Sequence, residues 1–144
     1  NYGITDELLS IYEKSLNNNG LTIDEDLVFN KGLKVSTGYE AIQKFEASQK
    51  TYDAVMCASD EIAMGVINAL REHGKRIPED VSVIGFNDND VSSVFYPKIT
   101  TVKQPSYDMG SVAMRMLIKI LNNKPVDEPQ FVLDYKIIKR DSSK

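Results

Sequence analysis

The side chains best suited to chemistry lie in two short polar segments, each directly after an apolar run. Ser59 and Asp60 follow the apolar residues 54–58, and the polar residues 87–90 follow another such run. Hydroxyl, amide and carboxylate groups can hydrogen-bond a small polar ligand, and Leu33 or a nearby aromatic ring would form its apolar wall. The alternative is that Ser59 and Asp60 only cap a helix and that residues 87–90 only turn the chain.

Other reactive residue types do not converge on a catalytic arrangement. The Asn-Asp-Asn-Asp run at residues 87–90 carries oxygen ligands for a hard cation, but the glycine and glutamate of a calcium loop do not follow it. His73 is the only histidine and is expected to be solvated near a helix end, and Cys57 is expected to be a buried thiol in a strand. We therefore expect neither enzymatic activity nor a metal or cofactor.

Composition indicates one globular domain. The 144 residues are 42% hydrophobic and 26% charged, and the formal net charge of −4 gives no basic footprint for binding DNA. No apolar run approaches the roughly 20 residues that span a bilayer, and residues 1–10 do not resemble a signal peptide. A cytoplasmic protein is expected, and its single cysteine excludes an internal disulfide.

Apolar spacing and turn residues predict alternating helices and strands. A first helix follows Thr5 and Asp6, a second begins at a Thr37–Glu40 capping box and ends near Lys50, and a third is capped by Ser59 or Asp60. The clearest helix covers residues 106–122. Strands are predicted at residues 27–29, 54–58, 81–86, 99–103 and 131–138. Alternation of this kind predicts an α/β fold, a three-layer αβα parallel sheet.

The carboxyl ends of parallel strands meet at one edge of a sheet, where loop amides and helix N-termini converge. Three of the predicted loops begin there, at Lys31, Ser59 and Asn87. The sequence therefore predicts a ligand site at this edge.

Many landmarks occur in an order typical of one family. They are residues 53–60, 62–65 and 74–88, then Pro97, residues 99–102, Gln104-Pro105, Gly110 and residues 139–142. In these the chain resembles the lac-repressor-type (LacI family) transcriptional regulators of bacteria. The resemblance implies the periplasmic-binding-protein-like fold of type I and a repressor whose effector, a sugar or related metabolite, closes two lobes and controls DNA binding. The alternative is a periplasmic-type solute-binding protein of the same fold.

By the same resemblance, residues 1–144 are a partial effector-binding and dimerisation domain. Residues 1–98 and 124–144 correspond to the C-terminal lobe, and residues 99–123 to a strand and helix of the N-terminal lobe. Operator DNA would be bound only through an N-terminal headpiece absent from this sequence.

The resemblance also implies roles for individual residues. Ser59 and Asn87 match positions that contact effector, and Gln104 lies beside the crossing between lobes. Leu33 stands where an aromatic residue is common and Leu8 where an arginine is common. Together with Asn87 in place of the usual acid, these replacements weaken the case for a sugar, because rings, arginines and carboxylates are the groups that recognise sugars.

The family's subunit contacts map onto four apolar residues, Met64, Ile67, Phe95 and Tyr96. A homodimer is therefore expected, since twofold association is the commonest assembly. The alternative is that these residues serve ordinary core or surface packing.

Overall fold

The computed structural model describes residues 3–126 and 128–144, which form five α-helices, one 3₁₀ helix and four strands. The α-helices are α1 (Gly3–Asn18), α2 (Val35–Ala47), α3 (Asp60–Glu72), α4 (Asp90–Val94) and α5 (Ser106–Leu121), and the 3₁₀ helix is Glu25–Leu27. The strands are β1 (Ala54–Met56), β2 (Ser82–Phe86), β3 (Thr100–Lys103) and β4 (Lys136–Ile138). None of these helices has both the length and the apolar character required to cross a membrane.

The strands form one mixed sheet in the order β1-β2-β3-β4, flanked by helices. β1, β2 and β3 are parallel, as predicted, but β4 runs antiparallel to β3. Lys103 pairs with Lys136, so the chain leaves β3 and returns to it at the same edge after α5. Because β4 begins beside the end of β3, it must run in the opposite direction to β3. The prediction of a parallel sheet is therefore wrong for this last strand.

The core lies between the sheet and the α2–α3 helix pair. Four apolar residues of α3 at helical spacing, Ala63, Val66, Ile67 and Leu70, are all buried, and Ile62 is partly buried beside them. Ala41, Ile42 and Phe45 of α2 and Val83 of β2 complete the contact, with Val81, Ile99, Cys57 and Ala69 around them. Helix spacing alone was enough to identify this face.

Three local predictions near the N-terminus are wrong. α1 already begins at Gly3, so Thr5 and Asp6 lie inside the helix instead of capping it. α2 begins at Val35, and the Thr37 hydroxyl accepts a hydrogen bond from the backbone N–H of Lys34 at 3.4 Å from within the first turn. Residues 27–29 are not a paired strand: a 3₁₀ helix ends at Leu27, and among the described residues no strand pairs with the chain that follows it.

The expected division between two lobes needs one correction. β3 was assigned with residues 99–123 to the other lobe, but it pairs with β2 on one side and β4 on the other. Ile99, Thr100 and Thr101 are buried, so this strand belongs to the present sheet. By contrast, none of the residues of α5 is buried, and assigning α5 to a second lobe stays a prediction.

Candidate ligand cleft at the strand tips

The loops after β1 and β2 leave the sheet side by side. Met56 of β1 pairs with Ile84 of β2, and Ser59 and Asn87 each lie three residues beyond that pair. Parallel pairing therefore brings both loops to one edge, the arrangement from which a site was predicted.

A buried carboxylate joins the two loops. Asp60 has no exposed surface, and its Oδ2 accepts a hydrogen bond from the backbone N–H of Asn89 at 2.7 Å. The Asn89 side chain donates to Oε1 of Glu61 at 2.7 Å. Oδ1 of Asp60 has no hydrogen-bond partner among the described residues, and burial raises the pKa of Asp60 against the opposing effect of its hydrogen bonds.

The loop after β2 directs three successive backbone amides inward. The N–H of Asn87 donates to the Val102 carbonyl at 2.9 Å, that of Asp88 to the Thr101 hydroxyl at 3.2 Å, and that of Asn89 to Asp60. Asn87 (φ 100°) and Asp88 (φ 57°) are left-handed, a conformation that Asn and Asp tolerate better than most residues. Because these amides are already bonded, a ligand here must be recognised by side chains and not by a backbone phosphate nest.

Asp88 is held by two cations. Its Oδ1 lies 2.6 Å from Nη2 of Arg140 and its Oδ2 lies 3.1 Å from Nζ of Lys103, while only 9% of its side chain is exposed. Arg140 also donates to Ser92 Oγ at 3.0 Å and to the Ile99 carbonyl at 2.9 Å. Burial alone would raise the pKa of Asp88, but the hydrogen bonds from Arg140 and Lys103 outweigh it and the pKa is lowered. Asp88 is thus an anionic anchor of the loop and not a free carboxylate for a ligand.

Between this loop and the start of α5 lies a cleft of about 480 Å³, which we call the tip cleft. It contains two of the predicted effector residues, Asn87 and Gln104. The cleft is lined by Asn87, Asp88, Asn89, Asp90, Lys103, Gln104, Pro105, Ser106, Tyr107 and Asp108. Amides, hydroxyls and an exposed aromatic ring suit the binding of a small polar molecule.

The other predicted effector residues do not reach the tip cleft. Leu8 and Leu33 line a separate apolar cavity of about 450 Å³ between α1, α2 and β1, which we call the edge cavity. Ser59 is buried, and its Oγ accepts a hydrogen bond from the backbone N–H of Ile62 at 3.2 Å. The capping interpretation therefore describes Ser59, and the structure separates Leu8 and Leu33 from Asn87 and Gln104.

Three residues of this region had no role in the sequence prediction. Arg140 lies in the closing segment that carries the family resemblance, but its partner Asp88 is 52 residues away in the sequence. Lys103 ends a predicted strand and Tyr107 lies in the first turn of a predicted helix, so the sequence indicated that both lie near the edge where the site was expected.

The four predicted subunit-contact residues have different environments. Ile67 is fully buried within the single chain, so the interface prediction is wrong for it, because no surface remains for a partner. Met64 and Phe95 are partly buried against the core. Tyr96 is exposed, with the Arg71 guanidinium 5.0 Å from its ring centroid. Of the four, Tyr96 presents the most surface to a partner.

The reactive groups of the sequence are in non-catalytic settings. Cys57 is buried, and burial, followed by the nearby Asp60, raises the pKa of its thiol to about 12. Across residues 3–126 and 128–144, His, Cys, Asp and Glu side chains form no group of three or more placed to hold a metal ion. Cys57 therefore stays protonated at neutral pH and acts as a small buried hydrophobe.

Comparison with known proteins places this geometry in one family. The profile of the periplasmic binding protein-like domain matches residues 2–143. The HTH-type transcriptional regulator RegA of Clostridium saccharobutylicum is 58% identical over 132 residues, which cover 92% of this chain and 40% of RegA. The chain therefore spans about 40% of the length of the curated relatives it matches.

Solved structures agree with the sequence relatives. The transcription regulator CcpA of Lactococcus lactis superposes with a TM-score of 0.83 at 32% identity, over 92% of this chain and 48% of that one. A complex of the transcriptional regulator CelR with cellobiose gives a TM-score of 0.85 at 30% identity, over 92% of this chain and 40% of that one. These relatives are transcription regulators and not enzymes.

Proposed function

The chain belongs to the periplasmic binding protein-like domain family, among the lac-repressor-type regulators, and from that membership we propose that it senses a small polar effector in the tip cleft. The observation that carries the proposal is the convergence of Asn87 and Gln104 in one cleft beyond the parallel strand tips. The hydrogen bond from the Asn87 N–H to the Val102 carbonyl supports the proposal, because it holds the Asn87 backbone in place while the Asn87 side chain stays exposed.

The chemistry of the cleft favours a hydroxylated metabolite such as a sugar. Amide side chains both donate and accept, which matches hydroxyl groups, and the Tyr107 ring offers an apolar surface at the place where it is exposed. One structural relative is a complex with cellobiose, which supports this ligand class. Tyr107 would supply the aromatic contact that family members commonly make from the position of Leu33.

Effector binding would act on DNA indirectly. A ligand that prefers one arrangement of two lobes shifts the population toward it and so changes the spacing of DNA-binding headpieces in a homodimer. The net charge of −4 argues that DNA is held by another part of the protein. We place the regulator in the cytoplasm, where operator DNA is found.

The proposal predicts that Asn87→Gly weakens effector binding without disturbing the loop. Glycine accepts the φ of 100° at this position, so the substitution removes only the side chain. Loss of its hydrogen bonds should weaken binding by about tenfold or more. The measurement is a thermal-shift screen of the intact protein with sugars, sugar phosphates and nucleobases, because a ligand of the folded state raises the melting temperature.

Gln49→Gly is the matched control. Gln49 is also left-handed (φ 56°) and exposed, and it does not line the tip cleft. This variant should keep the full thermal shift of the parent protein. A panel in which no compound shifts the melting temperature, or an Asn87→Gly variant that keeps the whole shift, would contradict the proposal.

A further inference from the structure

The loop that carries Asn87 is held by a residue from a distant part of the chain. Arg140 follows β4 and does not line the tip cleft, and only 17% of its side chain is exposed. Its Nη2 donates to Oδ1 of Asp88 at 2.6 Å, and its Nη1 donates to the Ile99 carbonyl at 2.9 Å and to Ser92 Oγ at 3.0 Å. One guanidinium group therefore joins the loop, α4 and the residue that precedes β3.

The backbone around Arg140 is itself fixed to the sheet. The Arg140 N–H donates to Oγ1 of the buried Thr100 at 2.9 Å. Oγ of Ser142, a fully buried residue, accepts from the Thr100 N–H at 2.9 Å and donates to the Val83 carbonyl at 2.6 Å. The Val83 N–H in turn donates to the Ser142 carbonyl at 2.7 Å. These bonds tie residues 140–142 to β2 and β3, so the guanidinium is held from a firm base.

The two cations beside Asp88 are not equivalent. Lys103 lines the tip cleft, its Nζ lies 3.1 Å from Oδ2 of Asp88, and 56% of its side chain is exposed. Water screens an exposed ion pair, which then contributes little to stability. A carboxylate with 9% of its side chain exposed is costly to leave without its main partner. Without Arg140, the Asp88 carboxylate would therefore favour a loop conformation in which it reaches water.

We propose that Arg140 is a positioning residue for the tip cleft: it holds residues 87–90 in the conformation that presents the Asn87 side chain to a ligand. Asn87 is the neighbour of Asp88, and both have left-handed backbone, so a displaced Asp88 takes Asn87 with it. The inference rests on the proposed function, which supplies the role of the cleft.

Amide hydrogen exchange by NMR on the intact protein, without a ligand, tests the proposal. In Arg140→Gln, the N–H groups of residues 87–89 should lose at least about tenfold more protection than the N–H of Leu70, a fully buried residue of α3. Leu70 reports any loss of stability of the whole fold, so the ratio isolates opening of the loop. Lys103→Gln is the matched control and should change that ratio less than about threefold.

Two results would overturn the proposal. An equal loss of protection at residues 87–89 and at Leu70 would mean that Arg140 stabilises the fold as a whole and does not position the loop. A loss in Lys103→Gln as large as that in Arg140→Gln would remove the distinction between the two cations. Arg140→Lys keeps the positive charge but offers one nitrogen to three acceptors, so it should show the same selective loss at a smaller size.

A second substitution at Asp88 tests the cause of the opening. Asp88→Asn removes the unpaired charge, and asparagine tolerates the φ of 57°, so Arg140→Gln with Asp88→Asn should regain most of the lost protection. Asp90→Asn changes an exposed carboxyl of the same loop and should restore none. A double variant at Arg140 and Asp88 that exchanges as fast as Arg140→Gln would contradict the proposal. Because neither measurement uses an effector, a failed effector screen would reject the proposed function and leave the positioning role intact.

Discussion

Asp60 illustrates how one buried carboxylate both shapes the site and couples it to pH. Its Oδ2 anchors the loop after β2 through Asn89, and its Oδ1 lies so close to Gly85 that a β-carbon there would overlap it. Burial raises its pKa, so the folded protein holds the proton more tightly than the unfolded chain. The resulting stability is present below the unfolded value of about 3.8 and is lost as pH rises through the folded pKa.

We therefore expect Asp60→Asn to remove this pH dependence. As pH falls from 7 toward 4, the free energy of unfolding of the parent protein should rise relative to that of Asp60→Asn. Asp60→Ala should instead lose about 1–3 kcal/mol at pH 7, because the Asn89 amide is left unpaired. Urea denaturation at several pH values measures both effects.

Asp134→Asn makes the same change at an exposed carboxyl and is the matched control. Asp88 contributes with the opposite sign: its lowered pKa adds stability above about 3.8 that is lost as pH falls further. Asp88 is unchanged in all variants, but its charge also raises the pKa of Asp60, so the comparison reports Asp60 together with that interaction. A parent curve parallel to that of Asp60→Asn would contradict the role given to Asp60.

Helices α2 and α3 pack against each other through two glycines. A β-carbon at Gly38 would overlap the carbonyl oxygen of Ile62, and one at Gly65 would overlap the carbonyl oxygen of Val35. Each clash involves backbone, which no change of rotamer can relieve. This close approach seats α3, and with it Asp60, under the strand tips.

Gly65→Ala should therefore lower the free energy of unfolding by at least about 2 kcal/mol, because the helices must separate to admit the methyl group. Gly110→Ala in α5 is the matched control, since a β-carbon there meets nothing within 4 Å. That variant should be neutral or more stable by up to about 1 kcal/mol through helix propensity. Denaturant unfolding measures the free energy of unfolding of both variants. Equal changes in that free energy would rule out the close contact between α2 and α3.

At the scale of the whole molecule, most of the exposed large apolar side chains of the described chain lie on α5 and in residues 131–137. No residue of α5 is buried, and further exposed apolar side chains occur in residues 131–137. They are Tyr107, Met109, Met114, Leu117, Ile118, Ile120 and Leu121, followed by Phe131, Val132, Tyr135 and Ile137. Exposed apolar side chains on a helix with no buried residue are typical of an interface, in agreement with the prediction that α5 belongs with a second lobe.

The 144-residue chain should accordingly self-associate or bind an apolar dye. We expect light scattering to report species larger than a monomer, or the dye ANS to fluoresce in its presence. Leu121→Lys, which places a charge within the apolar surface, should reduce the signal, while Asn68→Lys on the exposed side of α3 should not. Monodisperse monomers without dye fluorescence would mean that the surface is covered from within the chain.

The elements that local signals specify were predictable from the residue order. Ser59 and the apolar stripe that follows it predicted α3, residues 106–122 predicted α5, and the parallel pairing of β1 and β2 followed from the strand–helix–strand alternation. Caps and helical spacing act over three or four residues, so they are visible without knowledge of the fold. The resemblance to lac-repressor-type regulators extended this to the family, which the comparisons confirm.

The remaining features depend on contacts between residues that are distant in the sequence. Residues 27–29 have strand-forming side chains but no paired neighbour in the described chain, and β4 is antiparallel because of where the chain re-enters the sheet. Asn87 and Gln104 share a cleft while Leu8 and Leu33 line another cavity, and Asp88 finds Arg140 across 52 positions. Ladder bonds, cavities and ion pairs join residues that are distant in sequence, and no local pattern encodes which of them meet.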